Sequence, residues 1–341
     1  MRSLVLSIVN RLFDSEISER DIHYLLLPGS IEGMTVGCLV FRKGLDDPIF
    51  FLKIYRERNQ LRVKKESQIL KILDGSLGGS ICNIPKYLDK GHINNTSYLA
   101  QTIVSGSQYH FNFNKRNLSE SSQLKERIMQ ITKALVQLSS ISSESNLISS
   151  DRILSKFIGI NDKYELLNNK SISQIGKVDF KKVIMHGDFV PHNVLFGEDQ
   201  SISIIDWTDV EFNGFALFDL YHFLINVAMR LRSSTSLQGL NEIFHIGFFE
   251  DNELSRIFRE SINYYANQLS LSDDEVELSF YYCLMRYAIT DFHKITKSIK
   301  RNETPAHIFD FKLEQDLNKL QVEYWSNFLS YSLENRSKIL L

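Results

Sequence analysis

The sequence predicts an α+β fold in which a small antiparallel sheet comes first and a larger, mainly helical part follows. Residues 22–104 contain short apolar runs rich in Val, Ile, Phe and Tyr, separated by Gly, Asp-Pro and Asn-Asn turn signals. After Gly106 the apolar residues follow long helical patterns instead. We therefore expect two packed units, at residues 1–105 and 106–341.

The first part shows one hairpin and two helices. Residues 35–41 and 49–55 alternate around a turn that contains Asp-Pro, which predicts a β-hairpin. Residues 63–73 have helical spacing, and Gly75 is expected to end that helix. The apolar run at the N-terminus stops at Asn10 without a small-residue cleavage site, so we expect an amphipathic helix there rather than a signal peptide.

The second part is expected to be mainly helical. The predicted helices lie at residues 121–138, 153–168, 215–231, 252–268, 274–299 and 309–333. Ser272 and Glu275 have the spacing of a capping box, and the apolar run that follows is typical of a helix buried in a core.

Composition excludes several classes of protein. Of the 341 residues, 43% are hydrophobic, the formal charge is −2, and no Lys/Arg block would follow a nucleic-acid backbone. The three cysteines, at positions 38, 82 and 283, have no CxxC spacing and predict buried, reduced thiols. The apolar stretch 215–229 is shorter than the about 20 residues that a membrane span needs. We expect a cytoplasmic protein with neither a nucleic-acid nor a membrane partner.

Three short strand-like runs interrupt the helical part, at residues 183–188, 193–196 and 201–205. They place Asp188, Asn193 and Asp206 at strand ends or in adjoining loops, where the side chains can converge on a ligand. A hard cation that bridges phosphates prefers oxygen ligands, which Asn193 and Asp206 can supply. Asp188 can then orient an attacking hydroxyl and accept its proton. These are the residue types that phosphoryl transfer needs.

The residues around Asp188 form a motif that distinguishes two branches of phosphotransferases. Residues 186–193 read His-Gly-Asp-Phe-Val-Pro-His-Asn, which keeps the spacing of the protein-kinase motif H-R-D-x-x-x-x-N. Gly187 replaces the Arg, and Trp207 follows Asp206 where protein kinases have Phe-Gly. With these residues the sequence resembles the aminoglycoside phosphotransferase/choline kinase family, whose motifs read HGDxxxxN and I-D-W.

The resemblance extends from about residue 22 to residue 224 and implies a two-lobed protein kinase-like α+β fold. The first lobe would cover the nucleotide, and the second would hold the catalytic loop, the metal site and the helices that contact the acceptor. ATP and Mg²⁺ would lie in the cleft between them. Asp188 would be the catalytic base, with Asn193 and Asp206 as metal ligands. Asp219 would brace the catalytic loop from the next helix.

The first lobe supplies further expected nucleotide contacts. Lys53 stands in an otherwise apolar strand with Glu66 in the next helix, which matches the family's pair that positions the α- and β-phosphates. An edge-strand solubilising charge is the alternative for Lys53. Residues 29–37 have the glycine content of a phosphate-covering loop without the GxGxxG spacing. The backbone of Thr102, Ile103 and Val104 would meet the adenine.

Several other residues have a structural and a functional interpretation. His186 is expected to hold the loop through backbone hydrogen bonds, and His192 to fill space rather than contact the acceptor. Asp209 and Glu211 could face a cationic substrate, but a solvated surface is favoured. The aromatic residues at positions 280, 281, 282 and 287 could form a cage for a quaternary amine. Their apolar context favours core packing.

The expected activity is ATP- and Mg²⁺-dependent transfer of the γ-phosphoryl group to a hydroxyl of a small molecule. The family's acceptors include aminoglycosides, choline, ethanolamine, homoserine, methylthioribose and sugars. The Phe-Val-Pro interval after Asp188 and the arginines among the C-terminal helices favour a sugar or another neutral acceptor over a polycation. The alternative is a nucleotide-binding pseudokinase that acts as a scaffold or regulator. A protein kinase is not supported, because D-F-G and A-P-E are missing.

Overall fold

The computed structural model of the protein describes residues 2–13, 17–27, 35–56, 60–76, 82–93, 96–109, 118–141, 147–151, 154–155, 158, 178–231, 244–301 and 328–334. The chain divides into two compact units. Unit 1 consists of Met1–Tyr109 and His186–Glu211, and unit 2 of His110–Met185 and Phe212–Leu341. The lobe boundary expected at residues 105 and 106 stays a prediction.

The helices and strands mix as an α+β fold requires, and that predicted class is confirmed. In chain order they are α1 (Arg2–Phe13), β1 (Ile22–Leu27), β2 (Thr35–Arg42), β3 (Phe50–Arg56), α2 (Gln60–Ser76), β4 (Cys82–Asn83), β5 (Tyr87–Ile93), β6 (Thr96–Gln101), β7 (Ser107–Gln108), α3 (Leu118–Ile141), β8 (Leu147–Ser149), β9 (Asp179–Met185), β10 (Val194–Phe196), β11 (Ile202–Ile204), β12 (Glu211–Phe215), α4 (Phe218–Arg230), α5 (Glu253–Leu269) and α6 (Asp273–Arg301).

Unit 1 contains a five-stranded sheet in the order β1-β2-β3-β6-β5, with every neighbouring pair antiparallel. The predicted hairpin is confirmed as β2 and β3, which pair from Thr35 opposite Tyr55 to Val40 opposite Phe50. Lys53 lies in the central strand β3, opposite Gly37 on β2 and Leu99 on β6. The middle of the sheet therefore fixes the position of this lysine.

Helices α1 and α2 belong to unit 1. Helix α1 buries Val5, Ile8 and Val9, as expected for a short amphipathic helix, and these residues join the apolar core with residues of β2 and β3. Helix α2 is longer than the predicted residues 63–73 and includes Gly75 in its last turn. Its buried side includes Glu66, which places a carboxylate inside unit 1.

A second sheet of unit 1 has the order β4-β11-β10-β7. Two of the three predicted strand-like runs, β10 and β11, pair with each other antiparallel from Val194 opposite Ile204 to Phe196 opposite Ile202. The third run, β9, belongs to the separate sheet β12-β9-β8. Strands β4 and β7 have two residues each and were not predicted, because such short pairings leave no periodic signal.

Unit 2 is mainly helical. The predicted helices at residues 121–138, 215–231, 252–268 and 274–299 are confirmed as α3, α4, α5 and α6. The predicted helices at residues 153–168 and 309–333 lie largely outside the described residues. Ser272 accepts a hydrogen bond from the N–H of Glu275 at 3.2 Å, and the Glu275 carboxylate accepts one from the Ser272 N–H at 2.8 Å, which confirms the capping box at the start of α6.

Aromatic side chains fill the core of unit 2. Phe280, Tyr281 and Tyr282 are at most 1% exposed, and the Phe180 ring lies 5.2 Å from that of Tyr282. The Tyr281 hydroxyl donates to Glu277 at 2.9 Å. Core packing, the interpretation favoured from the sequence, therefore applies to these three residues.

The three cysteines are buried thiols, and none forms a disulfide. Burial raises the pKa of Cys38 to about 11 and that of Cys82 to about 12, so both are protonated near neutral pH. Among the described helices, none combines the length and the apolar character that a membrane crossing demands.

Candidate active site

Lys53 and Glu66 form a buried ion pair in unit 1. The distance from Lys53 Nζ to Glu66 Oε1 is 2.5 Å, and the two side chains are 7% and 0% exposed. Burial alone would lower the pKa of Lys53, but the carboxylates of Glu66 and Asp206 outweigh it and raise that pKa above its ordinary range. The edge-strand interpretation of Lys53 is wrong, because the residue lies in the central strand and is paired.

The same ammonium contacts the aspartate that follows β11. Lys53 Nζ donates to Asp206 Oδ1 at 2.7 Å and to Thr208 Oγ1 at 3.1 Å. Although burial opposes it, the Lys53 charge and the hydrogen bonds from Lys53 and Thr208 hold the pKa of Asp206 well below its usual range. A residue of the first sheet thus contacts the residue that precedes the 3₁₀ turn after β11, 153 positions later in the chain.

Two hydroxyls that the sequence analysis missed complete this group. The Tyr55 hydroxyl donates to Glu66 Oε2. Thr208 Oγ1 donates to Asp206 Oδ1 at 2.6 Å and lies 3.3 Å from Glu66 Oε2. Tyr55 stands two residues after Lys53 in a strand and so shares its face. That spacing was the available signal for Tyr55, whereas nothing near Thr208 indicated its partners.

His186 links the loop of residues 186–193 to Ile205, which directly follows β11. Its Nδ1 accepts a hydrogen bond from the N–H of Asp188 at 3.3 Å, so the ring proton is on Nε2, which donates to the Ile205 carbonyl at 3.0 Å. The ring lies 4.7 Å from that of Trp207. Burial lowers the pKa of His186 to about 4, which keeps the ring neutral. The predicted loop-holding role agrees with these contacts.

Asp188 and Asn193 lie together in that loop. Asn193 Nδ2 donates to the Asp188 carbonyl at 2.9 Å and lies 3.4 Å from Asp188 Oδ2. Asn193 is 4% exposed, and its own carbonyl accepts from the N–H of Ile205 at 3.0 Å. Burial, and then the negative charges of Asp206 and Asp209, raise the pKa of Asp188. Asp188 therefore binds a proton more tightly than an ordinary aspartate does, and it lies near Asn193 and Asp206, the other two predicted site residues.

Asp206 has an unusual backbone conformation. Its φ of 63° and ψ of 66° are left-handed, which few residues other than glycine adopt. It precedes a single 3₁₀ turn, Trp207–Asp209, whose indole Nε1 donates to the Ile204 carbonyl at 3.1 Å. Strain of this kind is tolerated where the surroundings fix the residue, and it clusters at functional sites.

The other predicted site residues are placed as follows. The N–H of Thr102 donates to the Lys86 carbonyl at 2.9 Å, so this group is not available to a base, whereas Ile103 is 37% exposed. Val104 follows them on the same segment between β6 and β7. The glycine-containing loop lies outside the described residues up to its last three positions, which begin β2.

The structure also shows the surroundings of Asp209, His192 and Asp219, for which the sequence allowed a structural or a functional interpretation. Asp209 Oδ1 lies 3.2 Å from Arg62 Nη2, an ion pair that the sequence analysis missed. The His192 carbonyl accepts from Gln108 Nε2 at 3.1 Å. Asp219 is buried in the first turn of α4 in unit 2, and its brace to the catalytic loop stays a prediction.

The donor set fits a magnesium ion. Asp206 Oδ2 and Asn193 Oδ1 are hard oxygens, and neither accepts a hydrogen bond from a residue that the structure describes. Within that part of the chain no group of three or more His, Cys, Asp or Glu side chains could hold a metal. Magnesium does not need such a cage, because it binds through one or two carboxylates together with substrate phosphates.

The chain is similar in sequence or in fold to several known proteins. Residues 165–249 match the sequence model of the phosphotransferase enzyme family (APH). A search of curated proteins gave no match. Among solved structures, the chain is similar to a candidate aminoglycoside phosphotransferase from Ralstonia eutropha JMP134, with a TM-score of 0.63 and 9% identity over 97% of this chain and 98% of that one. It is also similar to a candidate fructosamine-3-kinase from Haemophilus somnus 129PT, with a TM-score of 0.51 and 15% identity over 93% and 96%.

At these identities the two structures establish the fold, and the predicted protein kinase-like α+β class is confirmed. The family match covers residues 186–193 and Asp206, and it supports a phosphotransferase. The resemblance to the aminoglycoside phosphotransferase/choline kinase family that the motifs indicated is therefore confirmed.

Proposed function

We propose that the protein is an ATP- and Mg²⁺-dependent phosphotransferase that moves the γ-phosphoryl group to a hydroxyl of a small molecule. The observation on which this rests is the position of Lys53, whose ammonium joins Glu66 at 2.5 Å to Asp206 at 2.7 Å. A phosphate-binding cation and a metal-binding carboxylate thereby occupy one site, next to the Asp188–Asn193 loop. Phosphoryl transfer requires these groups together.

Asp188 is the proposed catalytic base. Its raised pKa makes it a stronger proton acceptor than an ordinary carboxylate, while Asn193 keeps the side chain in place. As the acceptor oxygen bonds to the γ-phosphorus, the bond from that phosphorus to the bridging oxygen of ADP breaks. The hydroxyl proton passes to Asp188, which later releases it to water.

Lys53, Asn193 and Asp206 are assigned to the nucleotide. Lys53 would donate to the α- and β-phosphates and stay oriented by Glu66. Asn193 Oδ1 and Asp206 Oδ2 would hold Mg²⁺, which neutralises phosphate charge when it is bound. Thr102, Ile103 and Val104 would contact the base through backbone groups, with the Thr102 N–H excluded because Lys86 uses it.

The surroundings of Asp209 favour a neutral acceptor. Asp209 was a candidate contact for a cationic substrate, but its carboxylate already pairs with Arg62 at 3.2 Å. A polycation would have to compete with that arginine, whereas a sugar hydroxyl would not. The two similar solved structures are described as acting on different acceptors, so the fold itself does not select the acceptor. We propose a sugar or another neutral hydroxyl compound.

The experiment is acceptor-stimulated ADP release. Purified protein with ATP and Mg²⁺ is offered neutral sugars and polyols in one set, and amino alcohols and aminoglycosides in another. We expect stimulation by a member of the first set and its loss in Asp188→Asn. Stimulation by cationic acceptors alone would overturn the acceptor class.

A nucleotide-binding pseudokinase is the competing proposal. Such a protein would bind ATP, but no acceptor would stimulate turnover, and Asp188→Asn would leave its slow ATP hydrolysis unchanged. The presence of Lys53, Asp188, Asn193 and Asp206 in one unit favours the enzyme, because a scaffold needs no base. Failure of every acceptor, with intact Mg·ATP binding, would favour the pseudokinase.

A further inference from the structure

We infer that Thr208 is a positioning residue for Asp206, whose carboxylate it keeps in place when Lys53 turns to a phosphate. Thr208 directly follows the Asp206-Trp207 pair and carries the hydroxyl that bonds to Asp206 Oδ1. This role rests on the proposed function, because it concerns the exchange of partners that nucleotide binding demands.

The ammonium of Lys53 has no unused proton in this structure. An ammonium has three N–H donors. Their acceptors are Glu66 Oε1 at 2.5 Å, Asp206 Oδ1 at 2.7 Å and Thr208 Oγ1 at 3.1 Å. Lys53 can therefore donate to a phosphate only after it releases at least one of these partners.

The released partner is on the Asp206 side. Glu66 is fully buried, and Tyr55 donates to its second oxygen, so the Lys53–Glu66 contact is enclosed and fixed from both ends. The Asp206 side chain is 47% exposed, which leaves it open to incoming ligands. The Lys53 contacts with Asp206 and Thr208 are thus the ones that a phosphate can replace.

Thr208 has one hydroxyl proton and two carboxylate acceptors within reach. Asp206 Oδ1 lies at 2.6 Å and Glu66 Oε2 at 3.3 Å, and Tyr55 already donates to the latter. The hydroxyl therefore donates to Asp206. When Lys53 leaves, Asp206 Oδ1 keeps this bond, and the carboxylate does not rotate.

A fixed Oδ1 also fixes the direction of Oδ2. Asp206 Oδ2 is the oxygen proposed to face Mg²⁺, and no described residue donates to it. Without the Thr208 hydroxyl, the carboxylate would have to be ordered by the metal itself, which weakens metal binding. The expected effect is therefore on magnesium affinity and not on nucleotide binding in the absence of metal.

The test uses the full-length protein with Thr208→Val, which has nearly the same shape, and Thr208→Ser, which keeps the hydroxyl. Turnover is measured against free Mg²⁺ at saturating ATP, and ATP binding is measured separately in EDTA. We expect Thr208→Val to raise the half-saturating Mg²⁺ concentration about tenfold while ATP binding in EDTA changes less than about threefold. Thr208→Ser should restore the wild-type Mg²⁺ dependence to within about twofold.

Ser203→Ala is the matched control, because it removes another buried hydroxyl of unit 1, one that donates to the Ser105 carbonyl at 2.9 Å. Its half-saturating Mg²⁺ concentration should stay within about twofold of wild type. An unchanged Mg²⁺ dependence in Thr208→Val, or a Ser variant that behaves like Val, would overturn the inference. If Thr208→Val does not fold, Thr208→Ala makes the same comparison. Wild-type protein that binds no Mg·ATP would refute the proposed function itself, a result distinct from these.

Discussion

Gly187 lies directly against the backbone of Asp209. A Cβ atom on Gly187 would stand 2.2 Å from the Asp209 carbonyl oxygen, and the φ of Gly187 is +84°. The loop of residues 186–193 and the turn after Asp206 therefore approach each other more closely than any side chain at position 187 allows. This contact explains why Gly stands between His186 and Asp188, where protein kinases have Arg.

Gly187→Ala should disrupt the site. The alanine would adopt a left-handed φ and force the two backbones apart, and a carbonyl cannot move aside like a flexible side chain. We expect the free energy of unfolding to fall by about 3 kcal/mol and turnover by at least about tenfold. Urea unfolding and steady-state rates measure the two effects.

Gly44→Ala is the matched control, because Gly44 has a φ of +83° but nothing within 4 Å of an added Cβ. It should lose about 1 kcal/mol of stability and keep its activity within about twofold. Equal losses of stability and activity in the two variants would mean that the positive φ angle, and not the contact with Asp209, causes the loss.

Lys53→Ala should lower kcat/KM for ATP at least about tenfold. A charge-assisted hydrogen bond is worth about 1.5–3 kcal/mol, and the variant also leaves the buried Glu66 without its cation. Lys90→Ala is a suitable control, since Lys90 lies on the edge strand β5 and donates to Ser67 at 2.9 Å. An unchanged rate at both limiting and saturating ATP would show that Lys53 takes no part in the reaction.

The neutral state of His186 predicts a loss of stability on acidification. The folded-state pKa of about 4 is below the ordinary value of 6.5, so the unfolded chain takes up the proton first as the pH falls. Stability is complete above about pH 6.5 and declines towards pH 4. Between pH 7 and pH 5 this histidine should remove about 2 kcal/mol from the free energy of unfolding.

Urea unfolding at the two pH values, in wild type and in His186→Gln, measures this contribution as the difference between their pH dependences. The control is His23→Gln, at an exposed position of β1, and it should retain the wild-type pH dependence. A wild type that is equally stable at pH 7 and pH 5 would contradict the buried, neutral assignment.

Local patterns made several of these features predictable. Lys53 and Glu66 were recognised because they match the Lys–Glu pair of the family that the motifs resemble, whereas the strand alone left an edge-strand charge as the alternative for Lys53. The His186 loop was recognised because its residues are adjacent in sequence. The β2–β3 hairpin followed from alternation around an Asp-Pro turn. In each case the information lies within about 15 residues.

Features that depend on distant contacts were not predictable. Thr208 reaches Glu66 across 142 positions, and Arg62 reaches Asp209 from another element. Strand β4 pairs in parallel with β11 through two residues, which gives no periodic signal. These contacts arise only when residues far apart in the chain pack together, and no local pattern in the sequence signals that packing.

The raised pKa of Asp188 predicts an acid limb in the rate profile. Asp188 acts as a base only when it is ionised, so kcat should fall as the pH decreases through its pKa. Because burial and the charges of Asp206 and Asp209 raise that pKa, the fall should begin above the pH expected for an ordinary carboxylate of about 4. A rate independent of pH down to about 4 would argue against Asp188 as the base.

Asparagine substitutions of Asp206 and Asp188 should have different effects on Mg·ATP affinity and turnover. Asp206→Asn removes a formal charge from the dication site and from the Lys53 ion pair, so Mg·ATP affinity and turnover should both fall. Added magnesium should restore only part of the loss. Asp188→Asn should keep Mg·ATP binding within about threefold while turnover drops about 100-fold or more, the size of a general-base contribution.

Calorimetric titration of Mg·ATP into both variants, together with steady-state rates, separates these effects. The two side chains have different partners. Asp206 bonds to Lys53 and Thr208, whereas the Asp188 side chain has Asn193 as its hydrogen-bond partner among the described residues. If Asp188→Asn lost nucleotide binding and Asp206→Asn kept it, the two roles would be reversed. If neither changed turnover, the reaction centre would lie away from this loop, and Lys53 would be a structural residue.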